Sequence, residues 1–278
     1  DGIIMAAWPL LIRKKFFYRY IIQPQLTQFN GVWIDYSQLK NEQEKHDFES
    51  EIMNYFRGKI EEMKVHYVDQ NFHYSVTNLE GFVLHGFTKV PRVTYTIDNI
   101  SNPQQVFERF SYAKKKHIKK AEGLLQVDYN MSAEEFYAFQ VACLKQKKQT
   151  ILFSKQLFFS IYEAALQRNQ ALIISVKDKL GNVHAASFYV WDAHSSYYLI
   201  SAIDKNYRSS GASTLMVWET IKYLSAKTKV FDFEGSMIEA VANSFKQFGT
   251  MPKTYYKLYK YNSWSFKLLM NVRKKICN

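Results

Sequence analysis

Asp204-Lys-Asn-Tyr-Arg-Ser-Ser-Gly-Ala-Ser213 stands between strand-like and helix-like sequence, and its surroundings decide the fold. Upstream, residues 171–177, 184–191 and 197–203 read as strands, rich in β-branched and aromatic residues and separated by the turn segments Leu180-Gly181-Asn182 and Asp192-Ala193-His194-Ser195. Downstream, Leu215, Trp218, Ile221 and Leu224 recur at helical spacing over 211–226. A short strand over 230–234 follows, then a helix carrying Ile238, Val241, Ala242, Phe245 and Phe248, which Gly249 stops, then a strand over 254–261. Ahead of the first strand, Ser132-Ala133-Glu134-Glu135 is a capping box for a helix with Phe136, Phe139 and Cys143 on one face. Ser154 caps a second helix bearing Leu157, Ile161, Ala165 and Leu166. The order is helix, helix, three antiparallel strands, helix, strand, helix, strand, which is an α/β domain with a mixed sheet.

The N-terminal part is organised differently. Residues 3–12 and 20–24 read as strands with Asn30-Gly31 as a turn, and 42–63 as a helix with Phe48, Ile52, Tyr55, Phe56 and Ile60 on one face. Strand signals return at 65–68 and 92–97, and residues 107–122 read as one basic helix. These changes divide the chain into domains at 1–125 and 126–262, with a basic tail at 263–278.

The 278 residues are 47% hydrophobic and 17% aromatic, which implies a large core and excludes a disordered chain. With 37 Lys and Arg against 25 Asp and Glu, the net charge of +12 favours polyanionic partners. Two cysteines, Cys143 and Cys277, make no disulfide framework, so a reducing, cytoplasmic compartment is expected. The longest apolar run, 3–12, is half of the roughly 20 residues a membrane span needs, so no integral membrane segment is expected. The opening Asp1-Gly2 lacks an initiator Met, from which residues upstream are expected to be missing. Histidine and cysteine spacing gives no metal site, and Walker, Rossmann and Gly-x-Ser-x-Gly motifs are absent.

Three stretches can carry chemistry. The loop before the 211–226 helix offers unpaired N–H groups at a positive dipole end, with Gly211 for close approach and Arg208 for a charged contact; its plain alternative is a capped helix with a surface arginine. In Lys229-Val-Phe-Asp-Phe-Glu-Gly-Ser-Met237, alternation puts Phe231 and Phe233 on one face and Asp232 and Glu234 on the other. Two carboxylates on a strand buried on both faces need either an ion-pair partner or a catalytic task. The run Lys114, Lys115, Lys116, Lys119 and Lys120 makes a basic helical stripe, for which a solvated face is the plainer reading and phosphate or tRNA binding the other.

The order of elements after residue 126 resembles the GNAT acyltransferase fold. Tyr207, Arg208, Ser209, Ser210, Gly211, Ala212 and Ser213 stand where that fold has its Arg/Gln-x-x-Gly-x-Gly/Ala pyrophosphate loop. The whole chain is similar to the FemAB-like branch, in which two GNAT-like domains are fused. The matching stretches are Tyr20-Ile-Ile-Gln-Pro24, Arg92-Val-Thr-Tyr-Thr-Ile-Asp98, His117-Ile-Lys-Lys-Ala-Glu122, Val217-Trp-Glu-Thr-Ile-Lys-Tyr223, Phe231-Asp-Phe-Glu-Gly-Ser236 and Phe245-Lys-Gln-Phe-Gly249. The resemblance implies tandem GNAT-like α/β domains, each a mixed, mostly antiparallel sheet flanked by helices, the first truncated at its N-terminus.

It also implies acyl transfer to an amine, with acyl-CoA or aminoacyl-tRNA as donor and a cell-wall precursor or small molecule as acceptor; no metal is implied. Ser213 replaces the Gly or Ala of the phosphate loop, and the helical-hairpin insertion of some tRNA-using relatives has no counterpart, so the donor stays open. A free amine with a pKa near 10 is only about one part in a thousand neutral at pH 7, so a base or desolvation is required. On this reading Asp232 and Glu234 are the candidates for base or acceptor-orienting group, with N–H groups around 201–203 polarising the carbonyl. Lys246 matches the lysine of the family's Phe-Lys pair and would meet developing negative charge or a donor phosphate. Tyr255 and Tyr256 are candidate acids toward the leaving group. The competing class is a non-catalytic nucleic-acid-binding protein on a degenerate GNAT fold.

Overall fold

The computed structural model describes residues 2–276; Cys277 lies outside them. The helix caps form as the side chains dictate. Ser132 and Glu135 make the reciprocal capping box of a helix at Ala133–Gln146, and Ser154 accepts the Leu157 N–H at the start of Lys155–Leu166. The chain forms two compact units, one of residues 2–92 with 254–276 and one of residues 93–253. Residues 93–125 thus belong with the second unit, and 264–276 form a helix within the first.

In the first unit, β1 (Ala6–Ala7) pairs antiparallel with β4 (Trp33–Ile34). Between them in sequence, β2 (Leu11–Lys15) and β3 (Tyr18–Ile22) form a hairpin whose two-residue turn is Phe16-Phe17. Pro9 stands between β1 and β2, where the sequence pattern had suggested one strand over 3–12; a proline has no N–H to give a sheet ladder. α1 (Glu42–Glu62) starts at the Asn41 cap, with Glu42 and Glu44 in its first turn and Lys59 in its last. β5 (Tyr67–Phe72) runs parallel to β3, α2 (Glu80–Val83) is a single turn, and the chain leaves this unit within β6 (Thr88–Ile97). It returns within the final strand, which pairs antiparallel with β5 from Tyr256–Phe72 to Tyr261–Tyr67.

The second unit contains α3 (Pro103–Glu108), α4 (Tyr112–Glu122), β7 (Gln126–Asp128), α5 (Ala133–Gln146) and α6 (Lys155–Leu166). The single basic helix expected over 107–122 is therefore broken at 109–111, because Ser111 caps a new helix by accepting the Lys114 N–H. There follow β8 (Ala171–Lys177), β9 (Val183–Trp191), β10 (Ser195–Ile203), α7 (Ala212–Leu224), β11 (Val230–Asp232) and α8 (Glu239–Lys246). β12 (Met251–Tyr261) and α9 (Trp264–Ile276) complete the chain. The sheet of this unit runs β6-β11-β10-β9-β8-β7, antiparallel throughout except for the parallel pair β10 and β11. Nine of the thirteen residues of α7 are buried, so it is enclosed on most sides and forms the spine of the core with Tyr95, Ile174, Tyr189, Phe231 and Phe233.

Candidate functional site

β10 and β11 stay paired for only three residues, Ser195–Val230, Ser196–Phe231 and Tyr197–Asp232. β10 then continues to Ile203 alone on that side, while its other edge stays bonded to β9. Six residues at about 3.3 Å each make about 20 Å of open strand edge, leading from Asp232 to the loop before α7. One side of the opening carries an aromatic cluster, with Phe233 4.7 Å from Phe245 and Tyr198 6.1 Å from Phe233 between ring centroids. A crevice at the carboxyl ends of parallel strands, followed by helix N-termini, is a common ligand position in α/β folds.

Asp232 sits where the strands part. It is 1% exposed and faces away from Phe231 and Phe233. Its Oδ1 accepts a short hydrogen bond from Thr94 Oγ1 and one of 2.7 Å from the Glu234 N–H, while Oδ2 is buried without a partner. Burial dominates, and the carboxyl is pushed up from 3.8 to about 7 against the pull of those two donors. Glu234 is raised as well, by burial first and then by the Asp232 charge, so the structure does bring the two carboxyls together. Neither forms an ion pair among the described residues.

The local chain explains this closeness. β11 ends at Asp232, and Glu234 and Gly235 take positive φ values of 58° and 69°. A side chain at Gly235 would collide with the Val93 carbonyl and come within 2.9 Å of the Thr94 Cα, so only glycine lets the turn lie against β6. That contact delivers Thr94 to the carboxylate. The strand alternation expected through Glu234 is therefore broken two residues early, and the Glu234 N–H turns back onto Asp232.

The loop before α7 is held at one end by Gln146, which donates 2.8 Å to Asp204 and accepts from the Lys205 N–H at 3.1 Å. Tyr207 stacks on His184, 3.8 Å between centroids and 6° from parallel, so its ring is engaged with the protein. The Ala212 N–H is taken by Ser210 Oγ at 3.2 Å. The N–H groups of Ser209, Gly211 and Ser213 have no partner among the described residues, and Arg208 and Ser209 are exposed. Gly211 has φ 83°, and a Cβ there would lie 2.8 Å from the His117 carbonyl and 3.3 Å from Ala121 Cβ. Its bare carbon thus serves the contact between α7 and α4.

The remaining candidates are Lys246, Tyr255 and Tyr256. Lys246 ends α8 as an exposed side chain. Tyr256 is in the first unit, half-buried on β12 with Lys89 Nζ 3.9 Å above its ring, and Tyr255 packs on Phe29 at 4.9 Å. Among the described residues no cluster of three or more His, Cys, Asp or Glu could hold a metal. Nor is any helix among them long and apolar enough to cross a membrane.

Sequence reasoning missed Thr94 and Lys114. Thr94, Thr96 and Asp98 alternate with Val93, Tyr95 and Ile97, a period-two signal for a polar stripe along β6. Lys114 was grouped with the solvated lysines, but it is 8% exposed, donates to Ser244 Oγ at 2.9 Å and lies 4.3 Å over the Phe248 ring. Burial pushes its pKa down to about 8. The signal was its spacing to Ile118 and Ala121, both buried on the same face. Lys116, Lys119 and Lys120 are exposed, as a solvated stripe requires.

Residues 109–245 match the family described as acetyltransferase (GNAT) domain. No curated protein matches the sequence. Among solved structures, FemX is similar over 92% of this chain and 85% of its own, at 15% identity and a TM-score of 0.67. The C-terminal domain of a putative lysylphosphatidylglycerol synthetase from Agrobacterium fabrum covers 98% of this chain and 85% of its own, at 7% identity and a TM-score of 0.59. A tandem GNAT protein from the clavulanic acid biosynthesis pathway covers 88% and 75%, at 9% identity and a TM-score of 0.52. Residues 109–245 thus match the GNAT acetyltransferase domain, and over nearly its whole length the chain has a fold similar to that of FemX and of the tandem GNAT protein.

Proposed function

We propose that this protein transfers an acyl group, acetyl or aminoacyl, from acyl-CoA or aminoacyl-tRNA to an amine, with Asp232 as the proton acceptor. One observation carries this reading: a buried carboxyl with one unpartnered oxygen and a pKa of about 7, placed where β10 and β11 separate. A base of that strength is matched to neutral pH, and such catalysis contributes about 10²–10⁴-fold. The incoming ammonium gives its proton to ionised Asp232. The neutral nitrogen attacks the carbonyl carbon of the donor, and unpaired β10 N–H groups around 201–203 polarise the carbonyl oxygen; the C–S bond to CoA or the C–O bond to tRNA then breaks, and the thiolate or alkoxide leaves with the proton that the nitrogen gives up on becoming an amide. The donor's phosphates lie on the free N–H groups of Ser209, Gly211 and Ser213, with Arg208 beside them. The family match and the FemX-like fold support acyl transfer as the reaction class.

α4 borders this loop through His117 and Ala121, and it carries the exposed Lys116, Lys119 and Lys120. A basic stripe there suits a donor with more phosphates than one pyrophosphate, so the donor is tested by salt dependence as well as identity. The experiment presents acetyl-CoA, longer acyl-CoAs and aminoacyl-tRNAs to the protein with a panel of amines, and follows thiol or tRNA release. Asp232→Asn should lower turnover about 10²–10⁴-fold with donor binding intact, and Arg208→Glu with Ser209→Trp should weaken donor binding. Turnover unchanged in Asp232→Asn refutes the assignment. Steeply salt-dependent RNA binding without transfer from any donor favours the nucleic-acid-binding alternative.

A further inference from the structure

The first unit carries an apolar and basic face that acyl transfer does not use. At the turn of the β2–β3 hairpin, Phe16 is 76% and Phe17 71% exposed. Phe16 holds φ 53°, a left-handed conformation that a two-residue hairpin turn normally gives to glycine. A bulky residue costs stability there, and the sequence nonetheless places two adjacent phenylalanines in solvent. Arg13, Lys14, Lys15 and Arg19 flank them, all exposed.

α9 continues this surface. It is anchored by Phe266, whose ring lies 5.0 Å from Tyr18 and 5.3 Å from Tyr20, and Tyr18 donates to Ser265 Oγ at 3.0 Å. The Phe17 ring lies 4.1 Å from Tyr18, tilted 42° to it, so the turn and the first turn of α9 are neighbours. With Phe266 inward, Trp264, Leu268 and Val272 fall at i, i+4 and i+8 on an outward stripe, 80%, 57% and 48% exposed. Lys267 is exposed beside it, and the sequence continues Arg273-Lys274-Lys275. Between α9 and the sheet is a cleft of about 440 Å³, lined by Tyr20, Ile22, Tyr67, Leu269 and Met270, with Lys15 as its cation.

We propose that this face docks on an anionic lipid bilayer, with Phe16, Phe17, Trp264 and Leu268 entering the interface and the flanking lysines and arginines meeting the headgroups. Aromatic and aliphatic side chains set among cations are what an interfacial amphipathic element requires. Leu268 and Val272 offer nothing to a phosphodiester backbone, which disfavours RNA. A second copy would bring an identical basic surface against this one, which disfavours self-association. The apolar cleft with a lysine at its lining suits a lipid chain beneath a negative headgroup.

The test is co-sedimentation of the full chain with vesicles of phosphatidylcholine alone and of phosphatidylcholine mixed equally with phosphatidylglycerol. Binding should favour the anionic vesicles at least about ten-fold and fall with added salt. Phe16→Gly with Phe17→Asn gives the turn residues it favours, so this variant should fold at least as well as the parent while binding about ten-fold more weakly. Trp264→Gln with Leu268→Gln should do the same from α9, and Lys14→Glu with Lys15→Glu should lose about five-fold per cation at low salt. Equal binding to both vesicles, or undiminished binding by folded variants, overturns the proposal. So does a dimer, or RNA binding, that these variants abolish in place of vesicle binding.

Discussion

Replacing Asp232 with asparagine keeps the shape of the site and removes the titration of that carboxyl. Asparagine retains the Oδ1 acceptor for Thr94 and the Glu234 N–H and puts an amide where the unpartnered oxygen stood. In the parent protein burial moves the carboxyl from 3.8 to about 7, so between those values the folded state holds a proton that the unfolded chain releases. Stability therefore falls as pH rises through that interval and levels off above it. At about 1.4 kcal/mol per pH unit, the loss is about 2–3 kcal/mol between pH 5 and 7 and about 4 kcal/mol over the whole interval. Asparagine has no such dependence, but its unpartnered amide hydrogens cost about 1–3 kcal/mol at every pH. The variant should thus be about as stable as the parent near pH 5 and more stable near pH 8, where its activity is lowest relative to the parent. Urea unfolding across this range measures the difference, which should grow by about 2–3 kcal/mol, or roughly 3–5 °C in Tm. A difference that does not change with pH refutes the raised carboxyl and, with it, the assigned base.

Thr94→Val removes a donor from ionised Asp232, so the acidic limb of kcat/KM should move to higher pH by about one unit while KM for the donor holds. Lys114→Met should erase a stability gain of about 2–3 kcal/mol that the parent shows as pH rises from 8 toward 10.5, because a lysine held neutral on folding favours the fold as the unfolded chain deprotonates; parallel parent and variant curves would count against it. Gly235→Ala should cost about 2–4 kcal/mol through its positive φ and the collision with Val93, read by denaturant midpoint, and should raise the apparent pKa of activity by displacing Thr94.

What the sequence made legible was set by local rules. Ser132, Glu135 and Ser154 fixed two helix starts, and the β-branched and aromatic content of 171–177 and 184–191 fixed two strands with near-correct bounds. Asp232 and Glu234 stood out because carboxylates on an internal strand conflict with burial. The misses were matters of tertiary contact. That Gly211 faces α4 depends on where that helix lies, and no local pattern states it. Lys114 looks like its neighbours until Ile118 and Ala121 define the inward side. Thr94 meets Asp232 across 138 positions, through a turn whose left-handed residues sequence did not reveal.

The passage of the chain out of the first unit within β6 and back within β12 has a consequence for synthesis. β5 can pair with β3 early but cannot acquire its second partner until residue 261 has left the ribosome, whereas every strand of the second unit lies within residues 93–253 save the start of β6 and the end of β12. During translation the later-encoded body can therefore settle first, with Asp98 and Lys253 joined at 2.7 Å near its two ends. The earlier-encoded one waits, half a sheet with an uncovered margin, and that interval is when a chaperone would find it.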